Sequence, residues 1–157
     1  MNLNNDPRGG TMCLMKAGLA IGDGAKTGTL TAASTNGTGV DYAIKGIIYS
    51  VADAATNVPL TADDAQGLLT TCLYAICINA SGTRKSVQGV PVLTAELEAD
   101  VKALEWPLPP AGYCVLGYVK IAVTTTYNFT PGTTALDATG VTATYYDVIA
   151  PPVENLT

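Results

Sequence analysis

The stretch Tyr113-Cys114-Val115-Leu116-Gly117-Tyr118-Val119-Lys120-Ile121-Ala122-Val123 constrains this chain more than any other feature. It is strand-length, apolar, and rich in β-branched and aromatic side chains, which fit a pleated surface better than a helix. Residues Thr70 to Ala80 hold a second such core, Leu73-Tyr74-Ala75-Ile76-Cys77-Ile78, which reads as a buried strand. Buried strands need neighbours, and the sequence offers several. Thr27 to Thr35 is Thr-rich and ends at the turn signal Asn36-Gly37. Val40 to Val51 reads as one strand in which Gly46 marks a bulge. Lys85 to Val92 is expected to pair back across the turn Asn79 to Gly82, and Val141 to Ile149 is the last strand. Asp53 to Gly67, rich in Ala, Asp and Thr, is expected to be mostly loop.

One helix is signed. Thr94 is the expected N-cap, and Glu96, Glu98 and Asp100 place negative charge near the positive end of the helix dipole. Leu97, Val101 and Leu104 form an apolar stripe, and Pro107, Pro109 and Pro110 stop the helix, giving a span of about 94–105. Many short strands and one helix predict a mainly β fold, an antiparallel β-sandwich or jelly-roll-like barrel. The expected division is an extended N-terminal arm over residues 1–27 and a β-sandwich domain over 28–157.

Chemistry is scarce. The chain has no histidine, which removes the commonest general base, metal ligand and nucleophile partner. Ser34, Ser50, Ser81 and Ser86 lie in no nucleophile-elbow context. Gly22-Asp23-Gly24-Ala25-Lys26-Thr27 resembles a phosphate loop only superficially, because Ala20 and Ala25 stand where that pattern needs glycine. Asp63-Asp64 lacks calcium-loop spacing. Cys13, Cys72, Cys77 and Cys114 form no CxxC pair and read as buried reduced thiols, with Cys72 and Cys77 on opposite faces of their strand. The expectation is no catalytic residue, no cofactor and no metal, and so no enzyme. With a net charge of −5 and Arg84-Lys85 as the one adjacent basic pair, no basic stripe for nucleic acid exists. No apolar run approaches the roughly 20 residues of a membrane helix, and the polar start, Met1 to Gly10, does not read as a secretory signal. Neither nucleic acid nor membrane is therefore an expected partner, and a cytosolic origin is expected.

Charged residues make up 13% of the chain against 48% apolar, whereas soluble domains carry about 25% charged residues. Thr-rich polar surface accounts for part of this deficit, and coverage by partners for the rest. The N-terminal order is a polar tip, then the apolar cluster Met12, Leu14 and Met15, then Gly22-Asp23-Gly24. It reads either as an arm that docks on a neighbour or as a first strand with a frayed tip. On the arm reading, Met12, Leu14 and Met15 contact the partner, and removing residues 1–21 leaves the sandwich folded. Trp106 is a further candidate contact, although core packing over the helix end is the stronger reading for it.

The stretch from Ile78-Asn79-Ala80-Ser81-Gly82 through the helix, and on through Leu108-Pro109-Pro110-Ala111-Gly112 to Tyr113–Ile121, resembles segments of tailed-bacteriophage accessory proteins. These are the capsid-decoration, cement and fibre-base proteins. The resemblance covers about a third of the chain. It implies a non-catalytic protein on the outer surface of a virion, assembled in the host cytoplasm. Its implied partners are the major capsid protein and copies of itself, as a dimer or trimer. The alternatives are a tail, baseplate or head-fibre component of the same kind of particle, and a secreted carbohydrate-binding or adhesion module.

Overall fold

The computed structural model describes residues 10–21, 29–32, 39–52, 56–60, 64–124 and 128–149. The two apolar runs form the long strands β7 (Thr70–Asn79) and β10 (Tyr113–Val123), paired antiparallel from Asn79↔Tyr113 to Thr71↔Ala122. They are the centre of a sheet ordered β11 (Val141–Asp147), β10, β7, β8 (Arg84–Gln88), with β9 (Val92–Leu93) beside the start of β7. A second antiparallel sheet joins β1 (Met12–Cys13), β4 (Val40–Ile44) and β5 (Ile47–Val51). A third joins β2 (Ala20–Ile21), β3 (Thr29–Ala32) and β6 (Thr56–Pro59). The fold is mainly β and sandwich-like.

β7 is buried from Thr71 to Ile78, so both of its faces need cover. Cys72, Tyr74, Ile76 and Ile78 face one core, shared with Cys13, Ala17, Leu19, Val40, Tyr42 and Ile44 of the β1–β4 layer. Leu73, Ala75 and Cys77 face the other, capped by Val92, Leu97, Leu104 and Trp106. Cys72 and Cys77 thus lie on opposite faces, as their spacing predicts.

β10 also serves both cores, and its register shifts between Val115 and Gly117. The extra residue, Leu116, joins Cys114 in the first core, and from there the alternation restarts: Tyr118 in the second core, Val119, Ile121 and Val123 in the first. Gly117 is needed at the shift. A Cβ there would collide with the backbone carbonyl of Tyr146 and with the Leu19 side chain.

The structure corrects four expectations in detail. Val40–Val51 is not one bulged strand: Lys45 and Gly46, at φ 53° and 80°, form a two-residue turn that folds β5 back on β4. The bulge lies in β10 instead. The stretch expected to be loop contains β6, which pairs with β3, and the buried Gln66. The helix is α1 (Thr94–Glu98), shorter than 94–105. Asp100, at φ 56°, ends it: Val101 N–H reaches Glu96 O at 2.9 Å and Asp100 N–H reaches Leu97 O at 3.2 Å, the pattern of a left-handed C-terminal stop. Leu97 and Leu104 still reach the core, but Val101 is left 70% exposed. Thr94 does not cap: Leu93 holds the N-cap position, and the Thr94 hydroxyl instead lies 3.0 Å from that of Thr71.

The described part of the N-terminal segment, with the short strands β1 and β2, lies on the chain's own body. Cys13 and Ala17 are fully buried and Leu19 nearly so. Leu14 N–H donates to Asp41 O and Leu19 N–H to Asp147 Oδ1, each at 2.9 Å. Residues 1–9 of the tip, Gly22-Asp23-Gly24 and the turn signal Asn36-Gly37 lie outside the described residues, as do residues 150–157.

Two outcomes follow from this packing. Gly117→Ala should destabilise the fold by about 1–3 kcal/mol, as overpacking does, lowering the melting temperature by roughly 2–12 °C. Adding Leu19→Ala removes one of the two clashes, and its effect should then be less than the sum of the single changes. Deleting residues 1–21 removes Cys13, Ala17 and Leu19 from the core. The truncated chain should lose its circular-dichroism β signature or aggregate, the reverse of the free-arm expectation.

Candidate interaction surface

The sheet β1–β4–β5 carries the surface. Its register sets Cys13, Tyr42 and Tyr49 in one cross-strand row, and Met12, Ala43 and Ile48 in the next. The first row faces inward: Cys13 and Tyr42 are buried, the Tyr42 hydroxyl donates to Asn79 O at 2.9 Å, and the Tyr42 and Tyr49 rings stack at 5.7 Å. Successive rows point to opposite faces, so Met12, Ala43 and Ile48 lie on the outer face, as do Asp41 and Ser50, although Ala43 there is buried. Ile48 is 69% exposed. Ile47 faces inward by register, but at the tip of the hairpin it stays largely exposed, and Leu14 is also exposed.

Sequence reasoning singled out four contact residues, and the structure separates them. Met12 and Leu14 lie together on or beside this outer face. Met15 packs against the first core. Trp106 lies on the far layer, 4.6 Å edge-to-face from Tyr118, and caps the second core. Ile47 and Ile48 were read as ordinary strand residues. The signal that could have found them is Lys45-Gly46, a turn of hairpin length between two apolar halves.

β5 is an edge, with β4 as its one strand neighbour among the described residues. It carries no charge, no proline and no bulge, the devices that normally blunt an edge. Other edges differ. β8 bears Arg84 and Lys85, the latter 5.2 Å over the Tyr113 ring. β11 exposes Thr142 and Thr144 and no large apolar side chain.

Two core thiols and one phenol are held neutral. Burial pushes the Cys77 thiol up to about 12, against a smaller opposite pull from Lys85. Burial, with Cys13 and Cys77 nearby, does the same for Cys114. Burial and the Asp137 carboxylate push the Tyr145 phenol to about 12. Among the described residues, no three His, Cys, Asp or Glu side chains gather as metal ligands. No helix there is long and apolar enough to cross a membrane. Compared with known proteins, the chain matches no family model, no curated protein and no solved structure.

The raised thiols set a pH limit. Unfolded, these groups ionise near their ordinary value of 9.0; folded, Cys77 and Cys114 ionise near 12. Their contribution to stability is therefore whole below about pH 9 and is lost as pH rises towards 12. Melting temperatures measured from pH 7 to 11 should fall above about pH 9, and the double variant Cys77→Ala/Cys114→Ala should show a shallower fall from a lower start. A thiol reagent at pH 8 should label none of the four cysteines, all of them buried, until the chain is denatured.

Proposed function

We propose that this chain is a structural protein of a bacteriophage particle, bound to the capsid shell and in contact with copies of itself. The supporting observation is the outer face and free edge of the β1–β4–β5 sheet. Ile47 and Ile48 there are 60% and 69% exposed on an uncharged edge strand. Such an edge is a template for pairing and is safe in a soluble chain only when something covers it. The phage-like stretch from Ile78 to Ile121 supplies the kind of assembly, and the low charged fraction of 13% fits a surface partly covered by partners. On this reading the chain cements rather than catalyses. A rigid sandwich presents Leu14, Ile47 and Ile48 to the shell, and many copies on a lattice turn weak contacts into firm attachment.

Quantitative mass spectrometry of purified particles tests this. Hundreds of copies per particle are expected for a capsid protein; a handful would move it to the tail, and none would overturn the reading. Ile48→Lys should lower occupancy by at least about tenfold at limiting protein, because burying Ile48 at a contact contributes about 1.5–3 kcal/mol and about 1.4 kcal/mol is tenfold.

A further inference from the structure

We propose that β5 pairs antiparallel with β5 of a second copy about a two-fold axis at Tyr49, joining two three-stranded sheets into one continuous sheet. This rests on the self-contact in the functional reading but not on the capsid.

The backbone directions carry the argument. Asp41 O accepts from Leu14 N–H at 2.9 Å, so the Asp41 peptide groups point towards β1 and away from β5. Asp41 is paired with Ser50, which makes this a non-hydrogen-bonded pair of the β4–β5 ladder. Pairs alternate along an antiparallel ladder, so Ala43↔Ile48 is also non-hydrogen-bonded, while Ile44↔Ile47, Tyr42↔Tyr49 and Val40↔Val51 carry the bonds. A two-residue turn closing on Ile44 and Ile47 demands the same phase. The N–H and C=O groups of Ile48 and Ser50 therefore face away from β4. Ile48 and Ser50 are also the exposed residues of the outer row.

That pattern is self-complementary. With the axis at Tyr49, Ile48 of one copy meets Ser50 of the other, and each such pair exchanges two main-chain hydrogen bonds. Ile47 then meets Val51. An isologous interface of this kind closes after two copies. The charges permit it. Asp41 is one strand away from the edge, and its row continues across the axis through Ser50 to Ile48, Ala43 and Met12 of the second copy. The carboxylates of the two copies thus fall on different rows, and a chain of net charge −5 meets its copy along an uncharged strand. Across the axis each Ile48 lies opposite a Ser50, and the two Ile48 side chains become diagonal neighbours on the outer face.

Sedimentation equilibrium of the full chain should show a monomer–dimer equilibrium. Ser50→Pro removes an outward N–H that β4 does not use, so it should keep the circular-dichroism spectrum and raise the dimer dissociation constant by at least about tenfold. Ile48→Lys, which puts a charge at the axis without touching the ladder, should do the same and serves if Ser50→Pro fails to fold. Tyr49→Cys should give a disulfide-linked dimer on mild oxidation, because residues on the axis form a non-hydrogen-bonded pair about 4.5 Å apart at Cα. A chain that stays monomeric at all concentrations overturns the proposal. So does a dimer or trimer that ignores both edge variants and leaves Tyr49→Cys unlinked. Particles that incorporate the chain while it stays monomeric would overturn this pairing and leave the functional reading standing; a β5-linked dimer absent from particles would do the opposite.

Discussion

The fold depends on the β7–β10 pair being buried on both faces. Eight consecutive residues, Thr71 to Ile78, are removed from water, so alternation along β7 sorts side chains between two cores and not between core and solvent. Everything else is placed by the need to cover those faces. The chain before β7 covers one with β1 and β4; the chain after β8 covers the other with α1, Leu104 and Trp106. β10 serves both as well, and the shift at Leu116 and Gly117 sets which of its later side chains enters which core. Were the same residues paired without the shift, Tyr118 and Val119 would exchange faces and the tyrosine ring would enter the first core.

The layers are registered by polar ties at few points. Gln66 is fully buried and wholly satisfied: its Nε2 donates to Thr70 O at 3.0 Å and Ile121 O at 2.9 Å, and its Oε1 accepts from the Tyr74 hydroxyl at 3.2 Å. The same hydroxyl accepts from Gln88 Nε2 at 3.1 Å, which links β7, β8 and the loop before β7. Gln66 also exchanges backbone hydrogen bonds with Phe129, whose ring stands edge-on to Tyr74 at 6.1 Å. A buried amide with every donor and acceptor used fixes one arrangement among many that apolar contacts alone would tolerate.

What the sequence disclosed follows from which forces are local. Tyr113–Val123 and Leu73–Ile78 were legible because burial dominates any strand so apolar. Cys72 and Cys77 could be assigned to opposite faces because strand alternation is geometric. The helix was overread: Val101 completes the stripe from Leu97 to Leu104, but Asp100 in the left-handed region turns the chain first, and Asp carries no strong signal for that role. Lys45-Gly46 was misread as a bulge because a two-residue turn without Asn or Asp looks like an interrupted strand. Gln66 was invisible, since a buried glutamine is recognised only by partners far along the chain. Met12 and Leu14 were singled out for their apolar character, whereas the exposure of Ile47 and Ile48 depends on the sheet order, which sequence does not supply.

The shortage of charge connects the two halves of the molecule. A sheet buried on both faces needs apolar residues in all its rows, and a chain of this length then has few positions left for Lys and Glu. Those it has are placed unevenly: Arg84 and Lys85 guard β8, and Lys102 and Glu96 pair at 2.8 Å beside α1. β5 receives none, although Ser50 is an exposed strand position where a lysine would protect the edge without disturbing Tyr42 or Tyr49. Leaving that position neutral keeps the edge open to pairing, at the risk of pairing wrongly. Ser50, between Tyr49 and Val51, leaves one exposed hydroxyl on the edge. On the proposed pairing the free edge is a joint and not an unguarded end of the sheet.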